Sequence, residues 1–393
     1  MSAAIMTLPA ILSPDAPPHR ISGHSHHDIL RAWTFAATVA AVWGVALFGP
    51  AALVVIASAV SAAIVTDFAI AFARGRPVVG GLTHAGLIGL LLALTLPATA
   101  AWYIAAMGSM IAIVVGKVLF GGLGHYLWHP ALVGRVAVQM LFVNSLAMTG
   151  QNVAIPLLTR GHLFTGDLGS ARRIEMSEYQ GWTLEPKTAP GDALLLEPPV
   201  SALRRFADGK IKPDDEMIFE PLLRDALPPW HDTVLGTVPG AIGETCTLAL
   251  IVAGLYLIYR GYLRWHVPVA VLAAAGIAAA ILPVKIGTEG EGYYWLPIFA
   301  VEQGRAVGMA YVLYHLTAGQ LMLGAFLLAG DMTSTPMRAL GQLVFGAGVG
   351  VITIFMRLYG VVEGECYWAI LIMNTFVTFI DRRMKRPVLG IPE

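Results

Sequence analysis

Ten apolar stretches dominate the chain and fix what it can fold into. They lie at 31–48, 50–72, 82–99, 102–120 and 131–149, then at 243–260, 265–284, 308–330, 338–356 and 365–381. Each has about the ~20 residues that a helix needs to cross the hydrocarbon of a bilayer. In lipid, a helix satisfies its own backbone polar groups and a loop does not. The expectation is an all-α polytopic membrane protein of ten transmembrane helices. Composition agrees, because only 13% of residues are charged against about 25% in an average soluble chain. The formal net charge is zero, which gives no footprint for nucleic acid, so the surrounding partner is membrane lipid. Cys246 and Cys366 are the two cysteines, too few for a disulfide framework or a four-thiolate cluster within the chain.

The polar segments between these runs divide the chain. Residues 1–30 are rich in Pro and His, carry no apolar core of signal length, and read as a flexible cytoplasmic tail with His24, His26 and His27 in solvent. Residues 31–149 form a first set of five helices, 150–238 an extracytoplasmic loop, 239–386 a second set of five, and 387–393 a cytoplasmic tail. Lys and Arg of the short loops set the orientation. With both termini in the cytoplasm, Arg31, Arg74, Arg76, Lys117, Arg135, Arg260, Arg264, Arg338 and the RRMKR tail fall inside. Lys285, Arg305 and Arg357 are the exceptions. Lys117 and Arg135 are expected at the rim, snorkelling to water.

The two sets of helices resemble each other. GLLLALTLP (89–97) and GSMIAIVVGK (108–117) precede a glycine-rich bend. GAFLLAGDMTSTP (324–336) and GVGVITIFMR (348–357) precede YGVVEG. Each set has a Thr/Pro break, then a helix that begins at Gly and ends in a cation, then a turn. Five helices per set is an odd number, so the second copy is inverted in the membrane. Inverted repeats place a site where interrupted helices meet, since unwound backbone must hide from lipid.

The most polar of these junctions is GKVLFGGLGHYLWHPALVGR, residues 116–135. Gly121, Gly122 and Gly124 open backbone conformations closed to other residues. Pro130 suits the first turn of the next helix, whose free amides favour a polarised carbonyl or an anion. The junction suits a flat polar ligand and does not name it.

The junction is similar to the corresponding segment of a known family, as are LLLALTLP (90–97), PGAIGETCTLALIVAGLYLIYR (239–260), HLTAGQLMLGAFLLAGDMTSTP (315–336) and RLYGVVEGECYWAILIMNTFVTFID (357–381). The family is RnfD/NqrB, comprising RnfD of the Rnf electron transport complex and NqrB of the Na+-translocating NADH:quinone oxidoreductase. The resemblance implies two inverted five-helix repeats, a fold similar to urea and ammonium channels, in the bacterial cytoplasmic (inner) membrane. It also implies other membrane subunits of an electron-transfer complex, a flavin- or iron-sulfur-bearing partner, Na+ or H+ movement, and flavin. The chain reads as a membrane electron-transfer subunit. The alternative is a non-redox scaffold or channel-like permease of the same fold.

Three departures qualify the resemblance. The family attaches FMN by a phosphoester to a threonine; aligned on Asp192 and Ala193, that position is Pro198. Proline has no hydroxyl, so covalent FMN is not expected, and a flavin (riboflavin or FMN) would be held non-covalently. Family asparagines in the bend are replaced by Tyr126 and His129, with Trp128 between them and His125 before them. His84 lies where the family has an Asp-Gly-Ser-Ala run. His125 and His129 would share a face if helical. Three readings stand for His84, His125 and His129: ligation of a haem iron or other metal, proton relay, or hydrogen bonding across helices.

The candidate cofactor-binding residues are therefore Lys117, Gly121, Gly122, Gly124, His125, Trp128, His129, Arg135 and His84, with Asp331, Thr333, Ser334 and Thr335 of DMTSTP. That acidic cluster either caps the next helix or lines a pocket. Glu244 is expected near a helix N-terminus. Asp67 is a buried charge within an apolar run, a candidate for ion coupling; the alternative is a pair with Arg74, about two helical turns on.

Overall fold

The computed structural model describes residues 25–75, 81–146, 198–209, 219, 222–223, 227–228, 230–285, 293–294, 296–299, 305–360 and 363–384. His24, Arg76, Asp192, Ala193, most of the 150–238 segment and the 387–393 tail lie outside them. A helix lies on every one of the ten apolar runs.

In the first half, α1 (His26–Phe48) begins at a capping box. Asp28 N donates to Ser25 Oγ (3.3 Å), while Ser25 N donates to Asp28 Oδ2 (3.0 Å), which satisfies amides at the helix start. The cap draws His26 and His27 into the first turn, ahead of the apolar run. α2 (Pro50–Ala73) follows at once, with Pro50 in its first turn. Its buried stripe, Ala52, Val55, Ala59, Ala63 and Asp67, is made mostly of small residues about four apart. That stripe lets α3 (Gly81–Leu94) and α4 (Trp102–Ile111) close against it. Its other face exposes Leu53, Val54, Val65, Phe68 and Phe72. α4 continues as a π-helical stretch over Ala112–Val118, and α5 is Pro130–Leu141.

Two short helices, α6 (Pro199–Ala207) and α7 (Trp230–Leu235), precede the second half. There α8 (Thr247–Tyr259) and α9 (His266–Ile281) lead to a short antiparallel pairing of Val284 with Tyr294. α10 (Arg305–Thr317) bends by 61° and resumes at Leu321–Leu328, π-helical from Gly324. α11 (Ala339–Tyr359) and α12 (Glu365–Arg383) complete the fold. Among the described residues, α1, α2 and α11 are each long and apolar enough to cross a membrane, and the bent pair makes a fourth candidate. α3, α4 with its π stretch, α5, α8 and α9 are shorter apolar helices.

The interruptions meet one another. After α3 the chain unwinds at Thr95, and the unwound 236–246 segment lies against it. Ile242 N donates to Leu96 O (3.0 Å), Gly243 N donates to Leu94 O (2.8 Å), and Pro97 faces Ala241 across an antiparallel bridge. Backbone groups that lipid could not satisfy thus satisfy each other. At the other break, Arg357 is fully buried and donates from Nη1 to His315 O (2.7 Å) and from Nη2 to Ala318 O (3.3 Å). A guanidinium does there what missing helical amides would have done.

Three expectations about charges are corrected. Lys117 does not snorkel: it is buried, and its Nζ lies 2.8 Å from Asp67 Oδ2. Asp67 therefore pairs across helices with Lys117 and not with Arg74, because α2 packs on the π stretch of the α4 helix. Arg135 is not at a rim either. It is buried, donating from Nε to Thr95 O (3.0 Å) and from Nη1 to Gln139 Oε1 (3.1 Å). The carbonyl left free where the helix unwinds at Thr95 takes the place of water as its partner.

Candidate functional site

Residues 119–129 are not helical, so His125 and His129 do not share a helix face. The glycines explain why. Gly121, Gly122 and Gly124 have φ of 108°, 99° and 89°, values that strain any residue with a Cβ. They turn the chain so that Tyr126 and His129 point inward while His125 stays exposed, its Nδ1 3.3 Å from Leu123 O. Before the bend, Gly116 lets the start of α5 come close. A Cβ there would lie 2.7 Å from Pro130 Cα.

The bend closes against the 329–338 turn. Tyr126 Oη donates to Asp331 Oδ1 (3.2 Å). Asp331 Oδ2 accepts from Thr333 N, Ser334 N and Ser334 Oγ, each at 3.2 Å, and Thr335 Oγ1 donates to Asp331 O (2.7 Å). The acid shapes its own turn and does not cap α11, whose N-cap is Arg338. Asn374 of α12, with its amide turned to suit both neighbours, donates to Ser334 O (3.0 Å) and accepts from His129 N (3.2 Å).

A small cavity lies between these segments, α1 and α3. Its polar lining is His84, Tyr126, His129, Asp331 and Thr333; Trp33 and a set of aliphatic side chains form the rest. His84 and His129 are buried, and each keeps an Nδ1 with no hydrogen-bond partner among the described residues. Apolar walls with a few convergent polar atoms are what a small-molecule site requires. Of the remaining candidates, Gly121, Gly122, Gly124, His125, Trp128, Lys117, Ser334 and Thr335 do not line it. Trp128 Nε1 instead donates to Thr375 Oγ1 (3.0 Å). Among the described residues, no group of three His, Cys, Asp or Glu side chains is placed to hold a metal ion.

A second small cavity lies toward the other end of α5. Arg135, Glu244, Thr245, Gln320, Glu363 and Glu365 line it, and so do Pro198 and Ser201 of α6 and its cap. Tyr367 Oη donates to buried Glu244, and Arg204 pairs with buried Glu365. The candidate site drawn from the sequence does not contain Glu244, Glu365, Arg204 or Tyr367. The available signal was a pair of carboxylates within or beside apolar runs, which lipid does not tolerate without partners. His129 and Arg135 are six residues apart along α5, ~9 Å of helix rise, so one short helix touches both cavities.

A family model described as NQR2, RnfD, RnfE matches residues 14–390. The chain belongs to this family. The D component of the proton-translocating ferredoxin:NAD(+) oxidoreductase complex of Clostridium ljungdahlii is 32% identical over 373 residues, 95% of this chain and 94% of that protein. The D component of the Na(+)-translocating ferredoxin:NAD(+) oxidoreductase complex of Acetobacterium woodii is 28% identical over 380 residues, 97% and 96% of the two chains. Its counterpart in the ion-translocating oxidoreductase complex of Halorhodospira halophila is 30% identical over 381 residues, 95% and 94%. The match spans the whole described fold of this RnfD-family chain, both cavities included.

Proposed function

We propose that this RnfD-family protein is the membrane electron-transfer subunit of an ion-translocating oxidoreductase complex, with a flavin held non-covalently in the Asp331 cavity. The observation that carries this reading is the pair of buried, unpartnered imidazole nitrogens of His84 and His129 in a mainly apolar cavity. Both histidines line that cavity with Tyr126 and Asp331, a few polar groups among aliphatic walls. When bound, a flavin supplies one- and two-electron chemistry. The protein's part is to orient the ring, with Tyr126 fixed by Asp331, and to exclude water. Haem fits this lining less well. Its two carboxylates need cations, and among the described residues no Lys or Arg lines the cavity. What favours haem is only that two histidines face one space.

The same reading leaves out covalent FMN: Pro198, which alignment on Asp192 and Ala193 sets at the family threonine, lines the second cavity, and a proline offers no oxygen for a phosphoester.

The reading includes ten membrane spans arranged as two inverted repeats, with the termini and the Asp331 cavity on the cytoplasmic side and the Pro198 cavity on the outer side. The order of packing supports the repeats. In the first half α1 packs on α3, α2 on α3 and α4, and α4 on α5. In the second half α8 packs on 321–328, α9 on α10 and α11, and α11 on α12. The equivalent helices α1 and α8 touch, as do α5 and α12, as a two-fold relation requires. Partners are the other membrane subunits and a flavin- or iron-sulfur-bearing protein of the same complex. The transported ion is Na+ or H+, both of which occur in the names of the relatives.

The test is an absorption spectrum of the purified complex and of this chain after acid precipitation. The expected result is flavin absorbance that leaves with the acid supernatant. A chain that shows no flavin absorbance before precipitation and releases none to the supernatant favours the scaffold or permease reading, to which the missing acceptor hydroxyl lends its weight.

A further inference from the structure

The corner between α8 and α9, residues 259–265, sorts its side chains sharply. Tyr259, Arg260, Arg264 and Trp265 are exposed, Tyr259 by 89% and Trp265 by 52%. Gly261 turns the chain with φ of 73°, and Tyr262 and Leu263 go inward. Leu263 closes on Gly330, where any Cβ would collide with its Cδ1. Arg264 Nη1 donates to Met337 O (2.6 Å), which ties the corner to the 329–338 turn.

A third cavity lies between this corner, that turn and the first turns of α1 and α11. At about 320 Å³ it reaches the size of small-molecule pockets, about 300–1,000 Å³. Arg264, Tyr262 and Thr335 give it a polar wall; Leu263, Met332 and Met337 give it an apolar one. Arg260 stands over the Tyr262 ring, its Cζ 5.5 Å from the centroid. Arg338 is exposed beside Met337. A guanidinium carries five N–H donors, and Met337 O takes one of those of Arg264. The carboxylates at this end are engaged: Asp28 with Ser25, and Asp381 Oδ1 with Met337 N (3.2 Å).

Cations alone would suit any anion, but their neighbours narrow the choice. Tyr and Trp are enriched at the level of lipid headgroups. A basic pocket between spanning helices on the cytoplasmic side fits an anionic headgroup. The apolar wall would take the first part of an acyl chain, which a free phosphate lacks and an acidic protein surface does not offer. We propose that this cleft holds the headgroup of an anionic phospholipid, with its phosphodiester against Arg264 and Arg260 and its chains leaving along Leu263, Met332 and Met337. The leaflet rests on the orientation proposed above, which puts the α8–α9 corner at the cytoplasmic surface.

The experiment is native mass spectrometry of the delipidated, detergent-solubilised complex, titrated with phosphatidylglycerol or phosphatidylcholine. A basic residue at an anionic membrane surface adds about fivefold to affinity. The wild type is therefore expected to hold phosphatidylglycerol about thirtyfold more tightly than phosphatidylcholine. Arg260→Gln combined with Arg264→Gln is expected to remove that preference. Arg264→Lys keeps the charge and most of the preference, which shows that the corner tolerates a change at this position. Arg74→Gln, at the exposed end of α2, leaves the preference unchanged. A double variant that prefers phosphatidylglycerol as the wild type does overturns the site. Displacement of the lipid by millimolar glycerol 3-phosphate or inorganic phosphate overturns the lipid as its occupant. Binding to the isolated full chain but not to the complex means that a partner subunit covers the corner, and overturns the proposal for the assembly. The leaflet is read separately. Met337→Cys, at a side chain 80% exposed, is expected to react with a membrane-impermeant maleimide in inside-out vesicles and not in right-side-out ones. The reverse result overturns the orientation and leaves the lipid site standing.

Discussion

Asp67 and Lys117 are both almost wholly buried and 2.8 Å apart. Two charges taken out of water together are tolerable; one left alone is not. Asp67→Ala is expected to destabilise the protein by about 3–5 kcal/mol, read as a lower melting temperature in detergent. Asp67→Leu combined with Lys117→Met recovers most of that loss, because the apolar pair leaves no charge behind. If the single and double variants melt alike, the pair is not what matters at this position. Arg357 poses the same question with neutral partners. Arg357→Met removes the donors to His315 O and Ala318 O, and a loss of roughly 1–3 kcal/mol per stranded carbonyl is expected. Arg357→Lys, a point charge with no fixed fork, is expected to restore part of it in the same melting assay.

At the scale of elements, each π-helical stretch leads into one side of the Asp331 cavity. Ala112–Val118 leads into the 119–129 bend, and Gly324–Leu328 into the 329–338 turn. Such wide turns occur disproportionately at functional sites. The first is held against α5 by Gly116, so Gly116→Ala is expected to push Pro130 and His129 outward. The consequence is a loss of about 1–3 kcal/mol of stability and a reduced flavin content per chain, measured by absorbance. Wild-type flavin content with lowered stability would separate the packing from the site. The sequence already carried much of this scale. Gly121, Gly122 and Gly124 announced a bend, and Pro130 the next helix. It did not carry the inward turn of His129 and the outward turn of His125, because that depends on the φ values the bend adopts against the 329–338 turn.

At the scale of the whole molecule, the two halves join through unwound backbone. Pro97 faces Ala241 across an antiparallel bridge, where Cα atoms lie ~4.5–5.5 Å apart, within disulfide reach. Pro97→Cys with Ala241→Cys is therefore expected to cross-link in membranes on mild oxidation, seen as a mobility shift that a reductant reverses. Each single variant gives none, and failure of the double variant to cross-link would mean that the two segments do not meet. Arg135 shows why this scale was hidden in the sequence. Its place beside a short connection put it at a rim, yet its partner is the carbonyl of Thr95, forty residues away.

The sequence by itself determined the features that short-range physics sets. Lengths of apolar chain made helices, Gly and Pro made their interruptions, and a run of shared motifs identified the family. Only the tertiary structure decided which interruption faces which, and so which polar groups are matched. Asp67 took Lys117, Arg135 took an unwound carbonyl, and Trp33 Nε1, His84 Nδ1 and His129 Nδ1 took no partner among the described residues. Hydrogen-bond and ionic partners in an apolar body are chosen among groups far apart in the chain, and local sequence does not say which of them will be brought within hydrogen-bonding reach.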